Sequence, residues 1–506
     1  MPKMKNHIQH GLTRRELLVL SAGGAAGLGL GGIGGWYLGH RQKETSNPDV
    51  VIVGAGAAGI GAALALNKAG LTYTIVEADK RMGGRALTDT TSFVNSDGSV
   101  IPFDIGCAWI HNYDQKDKDG QLCNPMRKWA KELNFETGQQ PHDLDLKALF
   151  YGSDRQSDDV LRQMGDVDEN IEKQIKHLGE LKKDIPVSDL IKDWCPPVDA
   201  VATYMGPMDE AVDLDHLSTL DLYHLAEYEP NHLVKKGYGA LVQAIANYNQ
   251  LSAVTGTPVT KIRHGGPHIL VDTAGKCPGT ITARAVIVTV STGVMNSGAI
   301  KFEPPLDPNY QAAFFELPMG LLAKIPLQVP GMVHHANNWE AGDNILDERP
   351  SRRDETGKCC FPGERPGEQD IYFLAWPWDS DLMVGFVGGD FAWELSAAGE
   401  KAAVDFATQR LGDIFGSDMS KKVKKGLLTP WASNPLALGA YAAAMPGDYA
   451  CRDIIKHSFN DRIFFAGEAL APDPDGMFGT CSGAYNSGME VAKKVASALK
   501  PPTQRG

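Results

Sequence analysis

Three glycines and one carboxylate stand where their types and spacing can do chemistry. In Asp49-Val-Val-Ile-Val-Gly54-Ala-Gly56-Ala57-Ala-Gly59 an apolar β-branched run flows into a G-x-G-x-x-G pattern. A small-residue stretch follows, and a second apolar run, Tyr73-Thr-Ile-Val, stops at Glu77. This is the spacing for gripping a dinucleotide. Gly54 permits a tight turn, Gly56 lets backbone approach a pyrophosphate, and Gly59 lets a helix pack closely on a strand. The free N–H groups of the helix N-terminus then face the phosphates, and Glu77, about twenty residues on, is placed for a ribose hydroxyl. A lone glycine pattern would say little. Flanking strands and a terminal acid make this one specific.

A second candidate is a cation. In Leu317-Pro-Met-Gly320-Leu-Leu-Ala-Lys324-Ile-Pro-Leu-Gln the lysine sits among apolar neighbours, where an unpaired charge is costly. That points to a specific task for Lys324 rather than to a surface side chain reaching for water.

The elements that must position these groups come next. The βαβ unit runs straight into Ala78-Asp-Lys-Arg81-Met-Gly83-Gly84-Arg85. That run resembles the second glycine motif of two-dinucleotide-binding-domain flavoproteins, in which glycines and an arginine extend an FAD pyrophosphate site. Phe103-Asp104-Ile-Gly106-Cys107-Ala108-Trp109-Ile-His111-Asn112 is similar to the D-x-G-A-x-W-I-H/E-G segment of polyamine oxidases and flavin-dependent histone demethylases. The resemblance implies that Gly106, Ala108 and Trp109 lie against the flavin and that His111 faces a substrate channel; the bland alternative for His111 is a solvated loop. Asn112 replaces a glycine of that pattern.

Further matches lie in the family's order. Lys236-Gly-Tyr-Gly-Ala-Leu-Val resembles the return to the FAD domain, and Val259 of Thr257-Pro-Val-Thr-Lys-Ile262 matches the position that holds the adenine. Lys324 matches the lysine joined through a water to flavin N5. Trp431-Ala-Ser-Asn-Pro435 and Gly439-Ala440-Tyr441 match the segment passing over the flavin. Arg462-Ile-Phe-Phe-Ala-Gly467-Glu468 reads as a strand ending at an acid for FAD hydroxyls, and Gly479-Thr480-Cys481-Ser-Gly opens the final helix toward the flavin pyrimidine carbonyl. Cys481 would supply a backbone N–H there. Where relatives flank the amine with two aromatic rings, Tyr441 fills one position and Thr480 the other. Ala440 stands where monoamine oxidases carry a flavin-linking cysteine, which implies non-covalent FAD.

The implied fold is α/β, a two-dinucleotide-binding-domain flavoprotein. It combines a Rossmann-like FAD domain (47–123, 235–300, 429–498) with an interleaved α+β substrate domain, helical over 124–234 and sheet-forming over 301–428. Its 506 residues require more than one core of ordinary size. Val160, Met164, Val167, Ile171, Ile175, Leu178, Leu181 and Ile185 recur at three- and four-residue steps, predicting one long amphipathic helix or a pair. Asp199, Asp209, Glu210, Asp213, Asp215, Asp221, Glu227 and Glu229 fall in an interval without Lys or Arg. They read either as an acidic collar drawing in cationic amines or as a solvated helix face.

The net charge of −13 argues against nucleic acid. Eight cysteines without a C-x-x-C pair show no zinc or disulfide framework, and the pair Cys359-Cys360 reads as incidental unless an oxidising compartment bridges it. Thr13-Arg14-Arg15-Glu16-Leu17-Leu18 looks like a twin-arginine export signal, so residues 1–45 are read as an address for a periplasmic or exported protein. Residues 17–39 are uncharged, with Gly23, Gly27, Gly31, Gly35 and Gly39 at every fourth position. They are read equally as a cleaved signal or as a retained inner-membrane anchor.

The resemblance implies an FAD-dependent amine oxidase: a primary or secondary amine, polyamine-like or otherwise cationic, is oxidised to imine and aldehyde, and dioxygen is reduced to hydrogen peroxide. Lys324, His111, Tyr441 and Thr480 are the catalytic candidates. An amino-acid or heterocyclic-amine oxidase is the alternative. Amino-acid oxidases of this fold clamp the carboxylate with an arginine after the D-x-G run, where this chain has Trp109-Ile-His111. A flavin desaturase or isomerase, or a non-catalytic FAD-binding protein, is more remote.

Overall fold

The strand Val50–Val53 is central to a five-stranded parallel sheet, ordered Ala253–Val254, Tyr73–Val76, Val50–Val53, Ala285–Val288, Ile463–Phe465. The computed structural model describes residues 47–114, 116, 123–139, 146–192, 196–225, 230–330, 342–348, 369–471 and 477–499. The export signal, Cys359-Cys360, Glu227 and Glu229 lie outside them. Parallel strands covered on both faces read as continuous apolar runs, yet alternate residues still serve different cores. Val50 and Ile52 pack with Ile60, Leu66, Leu241 and Val491 of the helices. Val51 and Val53 pack with Val259, Ile262, Val271 and Ala283 of a four-stranded sheet. That sheet runs Gly279–Ala283, Ile269–Thr273, Val259–Arg263, Lys301–Glu303. Its first two strands form an antiparallel hairpin, and pairing continues past residue 300 into Lys301–Glu303.

The helices Ala57–Ala69 and Cys481–Leu499 lie together on one side. Backbone meets backbone there: a Cβ on Gly488 would stand 1.9 Å from the Ala58 carbonyl oxygen. The last helix is thereby fixed to the first dinucleotide-binding helix, and its N-terminus to the cavity described below.

A seven-stranded sheet builds the other half. Its order is Lys425–Gly426, Leu322–Gln328, Leu382–Gly388, Ile371–Ala375, Asn344–Asp347, Ala148–Tyr151, Asp154–Arg155. Asn344–Asp347 pairs antiparallel with Ile371–Ala375 and parallel with Ala148–Tyr151. Ala323, Ile325 and Leu327 face the helix Glu400–Phe415 through Ala403, Ala407 and Leu411. Strand alternation then turns Lys324, paired in register with Phe386, to the opposite face.

One helix, Asp158–Glu180, covers that second face, burying Met164, Ile171 and Ile175 against Leu346, Leu374 and Val384. Asp158 and Asp159 in its first turn and His177 in its last suit the helix dipole. It is single rather than a pair and is followed by Lys182 in the left-handed region. A shorter helix, Pro196–Thr203, passes into a π-helical turn, Tyr204–Glu210, with Pro207 inside it and Ala211 closing it at φ 60°. Such widened turns concentrate at functional sites. Among the described residues no helix is long and apolar enough to cross a membrane.

Candidate active site

A cavity of about 360 Å³ lies where the parallel sheet, the seven-stranded sheet and the final helix meet, and every residue the sequence nominates for cofactor or catalysis lines it except Gly59. Gly59 sits one layer back, where a Cβ would come within 2.1 Å of the Gly54 carbonyl oxygen. Gly54 itself has φ 104°, which excludes other residues from this turn.

The dinucleotide end fits the group the motif predicts. Helix Ala57–Ala69 begins at Gly56 with no side-chain cap and no acid in its first turn, so its leading N–H groups and dipole are directed at an anion. A Cβ on Gly56 would meet no protein atom nearer than Gly84 Cα at 3.8 Å, and the two glycine turns face one another. Glu77 is fixed by the Ala55 and Asp79 amides, which donate to its carboxylate at 2.6 and 2.7 Å. A carboxylate has capacity left for ribose hydroxyls after two such bonds. Ala78 and Val259 complete this end.

Toward the middle, Arg85 and Glu468 act as one unit. Arg85 Nη1 donates to Glu468 Oε1 at 2.9 Å and to the Ala440 carbonyl at 2.7 Å, while the Ala442 amide donates to Glu468 Oε2 at 3.3 Å. Glu468 therefore positions Arg85 and the Ala440 strand, in addition to lining the cavity beside Gly467. Trp431 donates from Nε1 to the Ile105 carbonyl at 2.9 Å and packs over Gly106.

Lys324 is 5 % exposed. Its Nζ donates to the carbonyls of Asp104 at 2.9 Å and Gly106 at 2.5 Å. It lies 5.4 Å from the Trp109 ring and 5.6 Å from that of Phe386. The Asp104 carboxylate turns elsewhere, accepting from Thr88 Oγ1 and from the Tyr238 and Gly239 amides at the start of the helix Tyr238–Tyr248. Lys324 is thus held by dipoles, with no contacting carboxylate among the described residues. Burial lowers its pKa to about 8, against the opposing pull of the Asp104 and Cys107 charges.

At the far end, His111 Nδ1 lies 2.7 Å from Asn231 Oδ1, which fixes the ring at the cavity wall. Asn112 adopts φ 51°. Asparagine tolerates that region, so the replaced glycine's turn is kept. The Tyr441 hydroxyl donates to the Asp209 carbonyl at 2.6 Å. Thr480 lines the cavity, but its hydroxyl is engaged: it accepts from the Gly483 amide at 2.9 Å and donates to the Met477 carbonyl at 2.8 Å. It is the N-cap of the final helix, a role that a threonine just ahead of a helix signals in sequence. Cys481 opens that helix, and a hydrogen bond with its thiol, followed by burial, pushes the Cys107 thiol well above its usual pKa.

The acidic interval divides. Asp199 is fully buried, and Asp221 is buried in a bidentate pair with Arg452, at 2.7 Å from Nε and 2.6 Å from Nη2. These two belong neither to a collar nor to a solvated face. Among the described residues of the interval, Asp209 and Glu210 are the acids that reach the cavity, and the π-helical turn also brings Tyr204 and Met208 to it. Tyr372 and Phe386 join from the sheet. Sequence reasoning missed these four apolar and aromatic residues; only Pro207 within a helical stretch hinted at the irregular turn.

Residues 204–496, more than half of the chain, match the family of flavin containing amine oxidoreductases, and residues 52–123 match an NAD(P)-binding Rossmann-like domain. Polyamine oxidase 4 of Oryza sativa subsp. japonica is 26% identical over 92% of this chain and 92% of its own length. The human lysine-specific histone demethylase 2 is 24% identical over 90% of this chain and 54% of its own. Among solved structures, cyclohexylamine oxidase from Brevibacterium oxydans IH-35A superposes with a TM-score of 0.69 at 18% identity, covering 90% of this chain and all of that one. Putrescine oxidase bound to putrescine does so with 0.67 at 17% identity, over 89% of this chain and 99% of the other. The glycine cradle, the uncapped helix and the family match lead to one conclusion: the chain belongs to the flavin containing amine oxidoreductases and is an enzyme whose cofactor is FAD.

Proposed function

We propose that the enzyme oxidises a cationic primary or secondary amine, of polyamine-like character, with dioxygen as electron acceptor and FAD held non-covalently. The C–H next to nitrogen is lost as hydride and a nitrogen proton leaves, giving an imine. Water then converts the imine to an aldehyde and a smaller amine or ammonia, and dioxygen with two electrons and two protons becomes hydrogen peroxide. When bound, FAD supplies the hydride acceptor at N5. This chain supplies position and electrostatics: Gly54, Gly56, Ala57, Glu77, Ala78, Gly84, Arg85, Val259 and Glu468 for the dinucleotide, and Gly106, Ala108, Trp109, Trp431, Gly467, Thr480 and Cys481 for the ring end. Ala440 brings no thiol to attach it.

The observation that carries the reading is Lys324, a buried cation without a contacting carboxylate among the described residues, in the wall of a cavity that Asp209 and Glu210 also line. A fixed positive charge in a dry site stabilises negative charge that develops there, and the acids in the lining favour a cationic substrate. Amino acids are disfavoured because the other cations lining the cavity are engaged. Arg85 pairs with Glu468, and Arg81 pairs with Asp79 and donates to the Gly84 carbonyl. His111 and Tyr441 are proposed to orient the amine. Supply of primary amines, secondary amines and L-amino acids to the purified yellow protein, with peroxide as readout, tests this. Turnover of amines supports the reading, and faster turnover of an L-amino acid overturns it. The pattern Thr13–Leu18 further supports export to the periplasm, which cell fractionation checks.

A further inference from the structure

Two thiols in the cavity wall take no part in the proposed amine oxidation. Cys107 directly follows Gly106, whose carbonyl holds Lys324, and Cys481 is the first residue of the final helix. Both are free, partly buried and in the cavity lining. A side-chain hydrogen bond joins Cys107 to Cys481. Others join the fully buried Tyr238 to Cys481 and to Ser482. Two sulfur atoms already in hydrogen-bond contact need little movement to become a pair bonded at about 2.05 Å.

The mounts of the two sulfurs are rigid. A Cβ on Gly106 would stand 1.6 Å from the Arg85 carbonyl oxygen, and one on Gly483 would stand 2.0 Å from the Met477 carbonyl oxygen. Backbone thus packs on backbone beside each cysteine, and neither segment can carry its thiol away without unpacking. The contact with Cys481, followed by burial, holds the Cys107 thiol well above its usual range. Cys107 therefore waits as a protonated thiol, and the first attack on an electrophile falls to Cys481.

We propose that Cys107 and Cys481 form an oxidisable dithiol, a modification site whose reagent is hydrogen peroxide and whose product, an internal disulfide, slows the enzyme reversibly. The Cys481 sulfur attacks one peroxide oxygen, the O–O bond breaks, and a sulfenic acid and one water form. The Cys107 sulfur then attacks the Cys481 sulfur, its proton leaves with the hydroxyl as a second water, and the S–S bond closes. Two thiols lose two electrons in all, and one peroxide becomes two waters. The site stands on the thiol pair; only a source of peroxide within the cavity itself rests on the amine-oxidation reading. Closing the bond draws the Gly106 segment, with the carbonyl that holds Lys324, toward the final helix. A displacement of about 1 Å near reacting groups can cost about 10²-fold in rate.

The test adds hydrogen peroxide to the FAD-loaded enzyme, blocks the remaining thiols with N-ethylmaleimide and maps the peptides by mass spectrometry, with and without dithiothreitol. A linked Cys107–Cys481 peptide should form and be lost on reduction. Anaerobic flavin reduction by an amine should slow by about tenfold or more as the link forms and recover as it is broken. Cys107→Ser should form no link and show no reversible slowing. Absence of the linked peptide while the exposed Cys277 is oxidised overturns the site, as does a link that leaves the rate unchanged. A Cys107→Ser enzyme slowed and restored like the wild type overturns it as well, and the wild-type peptide map decides where that variant does not fold. Failure of every amine to reduce the flavin before treatment removes the amine reading alone, and the peptide map with the flavin absorption spectrum then decides the dithiol.

Discussion

Arg452 and Lys324 are buried cations in different regions of this enzyme, and the protein treats them oppositely. Arg452, 1 % exposed, is held by the Asp221 carboxylate and lies 4.3 Å from the Phe478 ring. Burial lowers its pKa, and the Asp221 charge and hydrogen bonds, with the Glu468 and Tyr449 charges, together more than reverse that. Lys324, 5 % exposed, receives two carbonyl oxygens and two ring faces, and burial prevails. Arginine's planar fork suits a permanent pair, whereas a lysine shifts its pKa readily when buried. The paired cation ties the helix Thr219–His224 to the segment carrying Ala442 and Ala444, whose amide also donates to Asp221. The unpaired one faces the cavity. Compensated charge here marks architecture, and uncompensated charge lines the cavity in which the reaction is proposed to occur.

The contrast is broken most forcefully at the architectural pair. Asp221→Ala leaves Arg452 buried and unpaired, which costs about 3–5 kcal/mol of stability. Denaturant unfolding of the FAD-loaded enzyme measures this, and a loss below about 1 kcal/mol would mean that Arg452 does not depend on its partner.

A pH series sharpens the other side. With a folded pKa near 8 against the ordinary lysine value of 10.5, Lys324 is charged in both folded and unfolded states below pH 8. Between about pH 8 and 10.5 the unfolded chain binds the extra proton, so the stability cost of burying this charge relaxes as pH rises. Turnover moves the other way. If the charge is what the reaction uses, kcat/KM falls above about pH 8 by roughly tenfold per unit. Opposite trends of thermal stability and rate across this window are expected, and a flat rate profile would separate the charge from the chemistry.

The smallest effect concerns Thr480. As helix N-cap its replacement by alanine costs about 1 kcal/mol of stability, while Thr480→Ser retains the bond. Thermal unfolding of both variants distinguishes a capping hydroxyl from one that serves only the substrate, which would leave stability unchanged.

What the sequence reveals follows from how local each determinant is. The cradle is encoded within some thirty residues: Gly54 must take a positive φ, Gly59 must admit the Gly54 carbonyl, and the strands alternate between two cores. Lys324 shows because a cation amid apolar strand neighbours is rare and costly. Asp221 does not show, because its partner Arg452 lies 231 positions away and nothing near either residue signals the pair. A run of acids without a basic residue reads as one surface, while the fold buries Asp199 and Asp221 and sends Asp209 and Glu210 to the cavity. Tyr204, Tyr372, Phe386 and Trp109 come from one π-helical turn and two sheets, so no sequence period records their meeting. Thr480 shows in hindsight as a cap, where family resemblance had drawn attention to the missing ring instead.

The central claim, that an uncompensated buried cation marks the reacting end, is tested most directly by Lys324→Met with FAD bound. Methionine keeps the apolar stem and removes the charge, so the flavin spectrum and melting temperature should stay at or above wild-type values. Anaerobic reduction by a reactive amine, measured by stopped flow, should slow by about 10²–10³. A variant that is reduced and reoxidised at wild-type rates would make Lys324 a structural residue and contradict the account.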